Sequence, residues 1–138
     1  MVTFSASVSA WARRSDARLV AVFRDATQQV ANDVRIPKKK GGNMPVDTGN
    51  LRRSLASSTV EMPKIDPDSK RKYEADGMEN AKLVIAKAKI GETIYLGFQA
   101  NYAGIQEAKN GFVRLTAQRW PAIVKASSAK IKQGAEGS

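Results

Sequence analysis

The sequence predicts an α+β domain in which a small antiparallel sheet is packed by long N-terminal and C-terminal helices. Three observations carry that prediction. Apolar residues near both ends recur at helical spacing, runs rich in β-branched and aromatic residues cluster between them, and glycine–proline punctuation separates the two kinds of segment. With 138 residues the chain fits one domain, 1–138, large enough for a modest core.

The first element is a long helix. From Phe4 to Val34 the apolar positions are Phe4, Val8, Trp11, Leu19, Phe23, Ala26, Val30 and Val34, in steps of three or four, with Ser15 filling the one gap, between Trp11 and Leu19. Pro37 ends it, because the proline ring disfavours helical geometry at Ile36. The next segment, about 37–46, holds Lys38, Lys39, Lys40, paired glycines and Pro45, and reads as a flexible loop. "NLRRSL" then supplies a turn or two of helix with Leu51 and Leu55 on one face. Ser54 to Met62 alternates weakly, as a strand would. Residues 63–80 carry two prolines and many charges, a connection long enough to be functional or mobile.

"KLVIAKAKIGETIYLGFQ" predicts a hairpin, Leu83 to Ile90 and Thr93 to Gln99 joined at Gly91-Glu92. On its second arm Ile94, Leu96 and Phe98 share the buried face. Asn101 to Gly111 predicts a short helix closed by the glycine. The last segment predicts an amphipathic helix with Phe112, Leu115, Ile123, Val124, Ser127 and Ile131 near one face, kinked or restarted at Pro121 and fraying over 133–138.

Composition removes most enzyme classes. The chain has no histidine and no cysteine, so a Ser-His-Asp triad, a cysteine–histidine pair, a disulfide framework and an ordinary zinc site are all out of reach. No cofactor or metal is expected. The acids between Asp66 and Glu79 lack the order of a calcium loop. No apolar run has the length of a membrane span, and the apolar N-terminal residues precede the first basic one, the reverse of a secretory signal. A formal charge of +10 favours an anionic partner, whether nucleic acid, an acidic protein face or lipid headgroups.

One tripeptide asks for a decision. Asp47-Thr48-Gly49 is the signature of retroviral-type aspartic proteases, in which it follows an apolar strand and meets its own copy across a dimer. Here Lys, Gly, Gly, Asn, Met, Pro and Val precede it, Arg52 and Arg53 follow, and no flap or later Gly-Arg-Asn/Asp turn is found. Asp47 or Thr48 is therefore expected to cap the short helix, and no catalytic residue is assigned.

The motifs "PVDTGNLRRSL" and "NYAGIQEAKNGFVRLTAQRWPAIV" resemble those of the tail-completion or neck proteins of long-tailed bacteriophages. The matching residues are Pro45, Val46, Asp47, Thr48, Gly49, Leu51, Arg52 and Ser54, then Tyr102-Ala103, Glu107, and Phe112 with Arg114. The similarity spans most of the chain, but the Glu-Phe-Gly-Thr segment of that family is replaced by "IQEAKNG". The resemblance implies a structural virion protein of the neck or tail top. Such a protein forms a homo-oligomeric ring that joins the head connector or adaptor to the tail terminator or tail tube around the DNA channel, with transient DNA contact and no membrane. Candidate partner contacts are Lys38, Lys39, Lys40, Arg53, Lys70, Arg71, Lys72, Tyr102, Glu107, Arg114 and Arg119, the two lysine-rich loops serving as arms ordered on assembly. A basic nucleic-acid-binding protein is the main rival, and a dimeric protease using Asp47 the third reading.

Overall fold

The computed structural model describes residues 4–66, 68–89 and 91–136, and the side chains of residues 16–66, 68–89 and 91–134. Helix α1 runs Phe4–Asp33, α2 Asn50–Arg53, α3 Met78–Lys87, α4 Ala103–Asn110, α5 Phe112–Gln118 and α6 Trp120–Glu136. Strands β1, Leu55–Ser58, and β2, Tyr95–Phe98, pair antiparallel with Leu55 opposite Phe98 and Ser58 opposite Tyr95. The α+β class holds, with N- and C-terminal helices packed around a two-stranded sheet.

Several predicted elements fall where expected. The long first helix stops just before the proline boundary. The last helical segment breaks at Arg119, between α5 and α6, and restarts at Trp120, one residue before the expected Pro121. The side chains of Phe4, Val8 and Trp11 lie outside the described residues. The C-terminus departs from expectation, since α6 stays helical through Glu136.

The predicted hairpin is wrong in its first arm. Leu83 lies in α3, and the buried positions of that segment are Met78, Ala81, Ile85 and Ala88. Those steps of three and four are helical, and Leu83 points to solvent. β2 pairs instead with β1, and the crossover between them contains α3. α3 is tied to α1 at both ends. Gln28 donates to the Met78 sulfur, and the Arg24 guanidinium donates to the Ala88 carbonyl at 2.6 and 3.1 Å, satisfying an acceptor that α3 leaves open at its C-terminus.

One apolar cluster joins these elements. Val34, Met44, Leu51, Leu55, Met78, Ile85, Phe98 and Phe112 are buried in it, with Ile94, Leu96 and Tyr102 packed against its edge. Phe98 and Phe112 meet edge to face, ring centroids 5.4 Å apart at 87°, the arrangement that aromatic quadrupoles favour. On α5 the inward residue is Thr116 rather than the expected Leu115, which is 37% exposed. The Thr116 hydroxyl is satisfied by the Phe112 carbonyl at 2.9 Å, so its burial leaves no orphan donor.

Neither lysine-rich segment is a free arm. Lys38–Lys40 forms a single 3-10 turn closed by Lys38 N–H to Met44 O (3.1 Å) and Met44 N–H to Ile36 O (3.1 Å), with Met44 fully buried beneath it. The segment around Lys70–Lys72 is irregular but is fastened to α2, as described next.

Candidate functional site: a cationic cleft beside the Asp-Thr-Gly turn

The turn before α2 does not work as a cap in the expected way. Gly49 occupies the N-cap position with φ +83°, a backbone state that L side chains rarely adopt, and no side chain caps the helix there. Thr48 Oγ1 accepts only a long bond, 3.4 Å, from Asn50 N–H, and Asp47 stands exposed ahead of it. The capping role assigned to Asp47 or Thr48 is thereby corrected: the chain enters α2 through the left-handed Gly49, and no side-chain oxygen caps the helix.

What the motif does is hold other segments. Asn50 Oδ1 accepts Tyr73 N–H at 2.7 Å, Arg53 Nε donates to Tyr73 O at 2.6 Å, and Asn50 Nδ2 reaches Arg71 O at 3.4 Å. These bonds lay the 70–73 segment against α2. Arg71 sits 4.8 Å over the Tyr73 ring, within cation–π range. On the other side Arg52 Nε donates to Arg35 O (3.1 Å) while Arg35 Nε donates to Arg52 O (3.2 Å), fixing α2 to the end of α1. Ser54 is buried, its hydroxyl donating to Leu51 O at 2.7 Å and its carbonyl accepting Gln99 N–H at 3.0 Å, which starts the β1–β2 pairing. Gly77 completes the knot. Its N–H donates to Arg53 O at 3.1 Å, and a Cβ there would lie 1.7 Å from the Leu55 carbonyl oxygen.

Arg35 and Asp76, which the sequence did not single out, form the charged centre of this knot. Arg35 is 4% exposed and donates from Nη2 to Asp76 Oδ1 at 2.6 Å. Asp76 Oδ1 also accepts Met78 N–H at 2.9 Å, so the carboxylate starts α3. Burial raises the Asp76 pKa, but the Arg35 hydrogen bond, the Met78 amide and the nearby charges of Arg35 and Arg52 outweigh it and leave the carboxyl below its ordinary value.

Two clefts open beside the turn. The first, about 340 Å³, is lined by Pro45, Asp47, Thr48, Gly49, Leu51, Tyr102 and Gln106. The second, about 370 Å³, is lined by Thr48, Asn50, Arg53, Lys70, Arg71, Lys72, Asn101 and Tyr102. Thr48 and Tyr102 belong to both. The fold thus brings together the turn, the 70–72 cluster and Tyr102, while Asn101 and Gln106 are lining residues that no sequence pattern marked. Among the described residues Asp47 is the one acid lining either cleft. Four cations with amide and hydroxyl donors suit a carboxylate or a phosphate group. A nucleophile paired with a base does not line either cleft.

The remaining candidates lie elsewhere. Lys38–Lys40 lines neither cleft, and Val46 is exposed outside both. Glu107 accepts Val113 N–H at 2.8 Å and Arg114 N–H at 3.1 Å, so it caps α5 from α4. Arg114 is exposed, and Arg119, just before α6, pairs with Asp33 at the end of α1 at 3.5 Å. Among the described residues no three acids, histidines or cysteines converge as a metal site, and no helix is long and apolar enough to cross a membrane. Comparison of the chain with protein-family models, with curated proteins and with solved structures returns no match.

Proposed function

We propose that this protein is a structural subunit of the neck or tail top of a long-tailed bacteriophage, assembling as a ring that joins the head connector to the tail tube around the DNA channel. The observation that supports this most is the meeting of both halves of the resemblance at one place: Pro45, Asp47, Thr48, Gly49 and Leu51 line a single cleft together with Tyr102. The adjoining Arg53, Lys70, Arg71 and Lys72 suit an acidic segment of a neighbouring virion protein, the connector or the tail terminator. On this reading the protein is not an enzyme, and Asp47 is a lone exposed carboxylate at a docking site.

The test is assembly. The purified chain, offered to tailless heads of its own phage, is expected to form rings at the connector in electron micrographs. The double charge reversal Lys70→Glu, Lys72→Glu is expected to abolish that docking while leaving the far-ultraviolet spectrum unchanged. Wild-type chain that leaves the heads bare refutes the reading.

A second reading, a basic nucleic-acid-binding protein, draws on the same four cations and on the net charge of +10. It requires tight binding of free duplex by the isolated subunit, with affinity falling about linearly in log salt at a slope near −0.9 per phosphate neutralised. The protease reading requires Asp47→Asn to abolish peptide cleavage. The neck reading instead expects Asp47→Asn to fold within about 0.5 kcal/mol of wild type by urea melting, since no cap is lost.

A further inference from the structure

Asp16, Ala17, Arg18 and Leu19 are all exposed, Leu19 at 60%. Consecutive helical residues point about 100° apart, so four in a row sample the whole circumference. At this level α1 has left the body of its own chain. The α6 pairing explains why. Asp33 meets Arg119 and Asp25 meets Lys130, so the two helices run antiparallel. From Lys130 the rest of α6, ending at Glu136, rises only far enough to draw level with Leu19. Toward the N-terminus α1 continues to Phe4, roughly another 22 Å at 1.5 Å per residue. Sequence spacing puts Phe4, Val8 and Trp11 on the stripe that includes Leu19.

The molecule also carries an apolar surface of matching kind. Met62 and Leu96 line two adjoining grooves of about 480 and 210 Å³. Phe23, Ile94 and Trp120 complete the first, Ile65 and Val113 flank the second, and Met62 is 53% exposed. The charged residues lining them are Glu92 in one and Glu107 in the other. In sequence the N-terminal part of α1 carries Arg13, Arg14 and Arg18 against Asp16, so its charge is complementary. Because Phe23 and Val30 of α1 form one wall of the larger groove, an unbroken α1 cannot turn back into it. The arm that fits comes from another copy.

We propose that the α1 arm of one copy docks through the Phe4–Val8–Trp11–Leu19 stripe across the Met62–Leu96 groove of the next. This deepens the ring reading above, on which it rests. It is a helix-in-groove contact between two different surfaces, hence head-to-tail, the kind that closes into a ring when the rotation per subunit permits.

The chain lacks cysteine, so single thiols report position without ambiguity. Val8→Cys and Met62→Cys are made in separate full-length chains, mixed in equal amounts and treated with a short bis-maleimide. Cross-linked dimer is expected at least ten-fold above that from either variant alone. Equal linking by Val8→Cys alone would mean that arms pair with arms, and no linking in the mixture would mean no docking; either overturns the proposal. As a second measurement, Leu19→Asp and Met62→Asp each change a residue exposed in the monomer. Each is expected to shift the native mass to monomer, and their mixture to recover dimer and nothing larger, because only one intact contact remains. Multimers that persist in both variants overturn the docking. If those variants still form rings on phage heads, the docking fails and the neck reading stands; if arm and groove cross-link but no ring ever forms on heads, the neck reading fails alone.

Discussion

The core beneath the sheet and the wall between α1 and α6 are built from different materials. In the core large side chains interlock: Met44 and Phe112 are fully buried, and Phe98 meets Phe112 edge to face. Along the wall, α6 buries only Ile123 and Ser127 among its described residues, and rim ion pairs tie α1 to it and to the residue before it, Lys130 to Asp25 at 2.9 Å and Arg119 to Asp33 at 3.5 Å. Packing at the first place has one solution, since a lost ring leaves a void that rigid neighbours cannot fill. At the second, small residues and exposed charges tolerate sliding. The difference teaches that interlocking shapes in the core and the α2 knot specify the fold, whereas the wall is held by small residues and rim charges.

Substitutions at graded depths sharpen that contrast. Phe112→Ala is expected to cost about 3–5 kcal/mol in urea denaturation, as truncations of buried aromatic rings do. Asp76→Ala comes next, at about 2 kcal/mol at neutral pH. It strands the Arg35 guanidinium, but water reaches Asp76 itself and softens the loss below that of a fully buried pair. Its pH dependence has a definite sign. The folded carboxyl titrates below its unfolded value, so its stabilisation is present above the unfolded pKa, near 3.9, and fades as pH falls through the lower folded one. The acid limb of a stability–pH curve should therefore flatten in the variant. Lys130→Ala, on the wall, should change stability by about 0.5 kcal/mol or less, and less still in high salt, because the lysine is largely exposed. The Asp25 carboxyl, held below its usual value chiefly by the Lys130 hydrogen bond and then by the Ser127 hydroxyl, should titrate at higher pH in that variant. A loss at Lys130 as large as that at Phe112 would erase the distinction between core and wall.

Much of this fold was legible from spacing. The α1 stripe from Phe23 to Val34, the helix closed by Gly111, the break near Pro121 and the buried side of β2 all follow from periodicity and breaker residues. α3 was not legible, because its packing positions include Ala81 and Ala88, whose small side chains leave no hydrophobic signature, while Leu83-Val84-Ile85 imitates a strand. Thr116 escaped for a related reason: its inward position depends on a hydroxyl bond to the turn before it. At the cleft, sequence pointed to the turn, Tyr102 and the 70–72 cluster, yet had nothing to say about Arg35 and Asp76, which are 41 positions apart and recognise each other only after the chain has folded.

Arg35 and Arg52 exchange side-chain donors for each other's backbone carbonyls. Guanidinium groups keep their proton at every pH at which proteins stay folded, and a carbonyl has no proton to gain. This two-way clasp between the end of the long helix and the short one is thus indifferent to acidity. Whatever protonation does to the carboxylates around it, the junction between the end of α1 and α2 stays fastened.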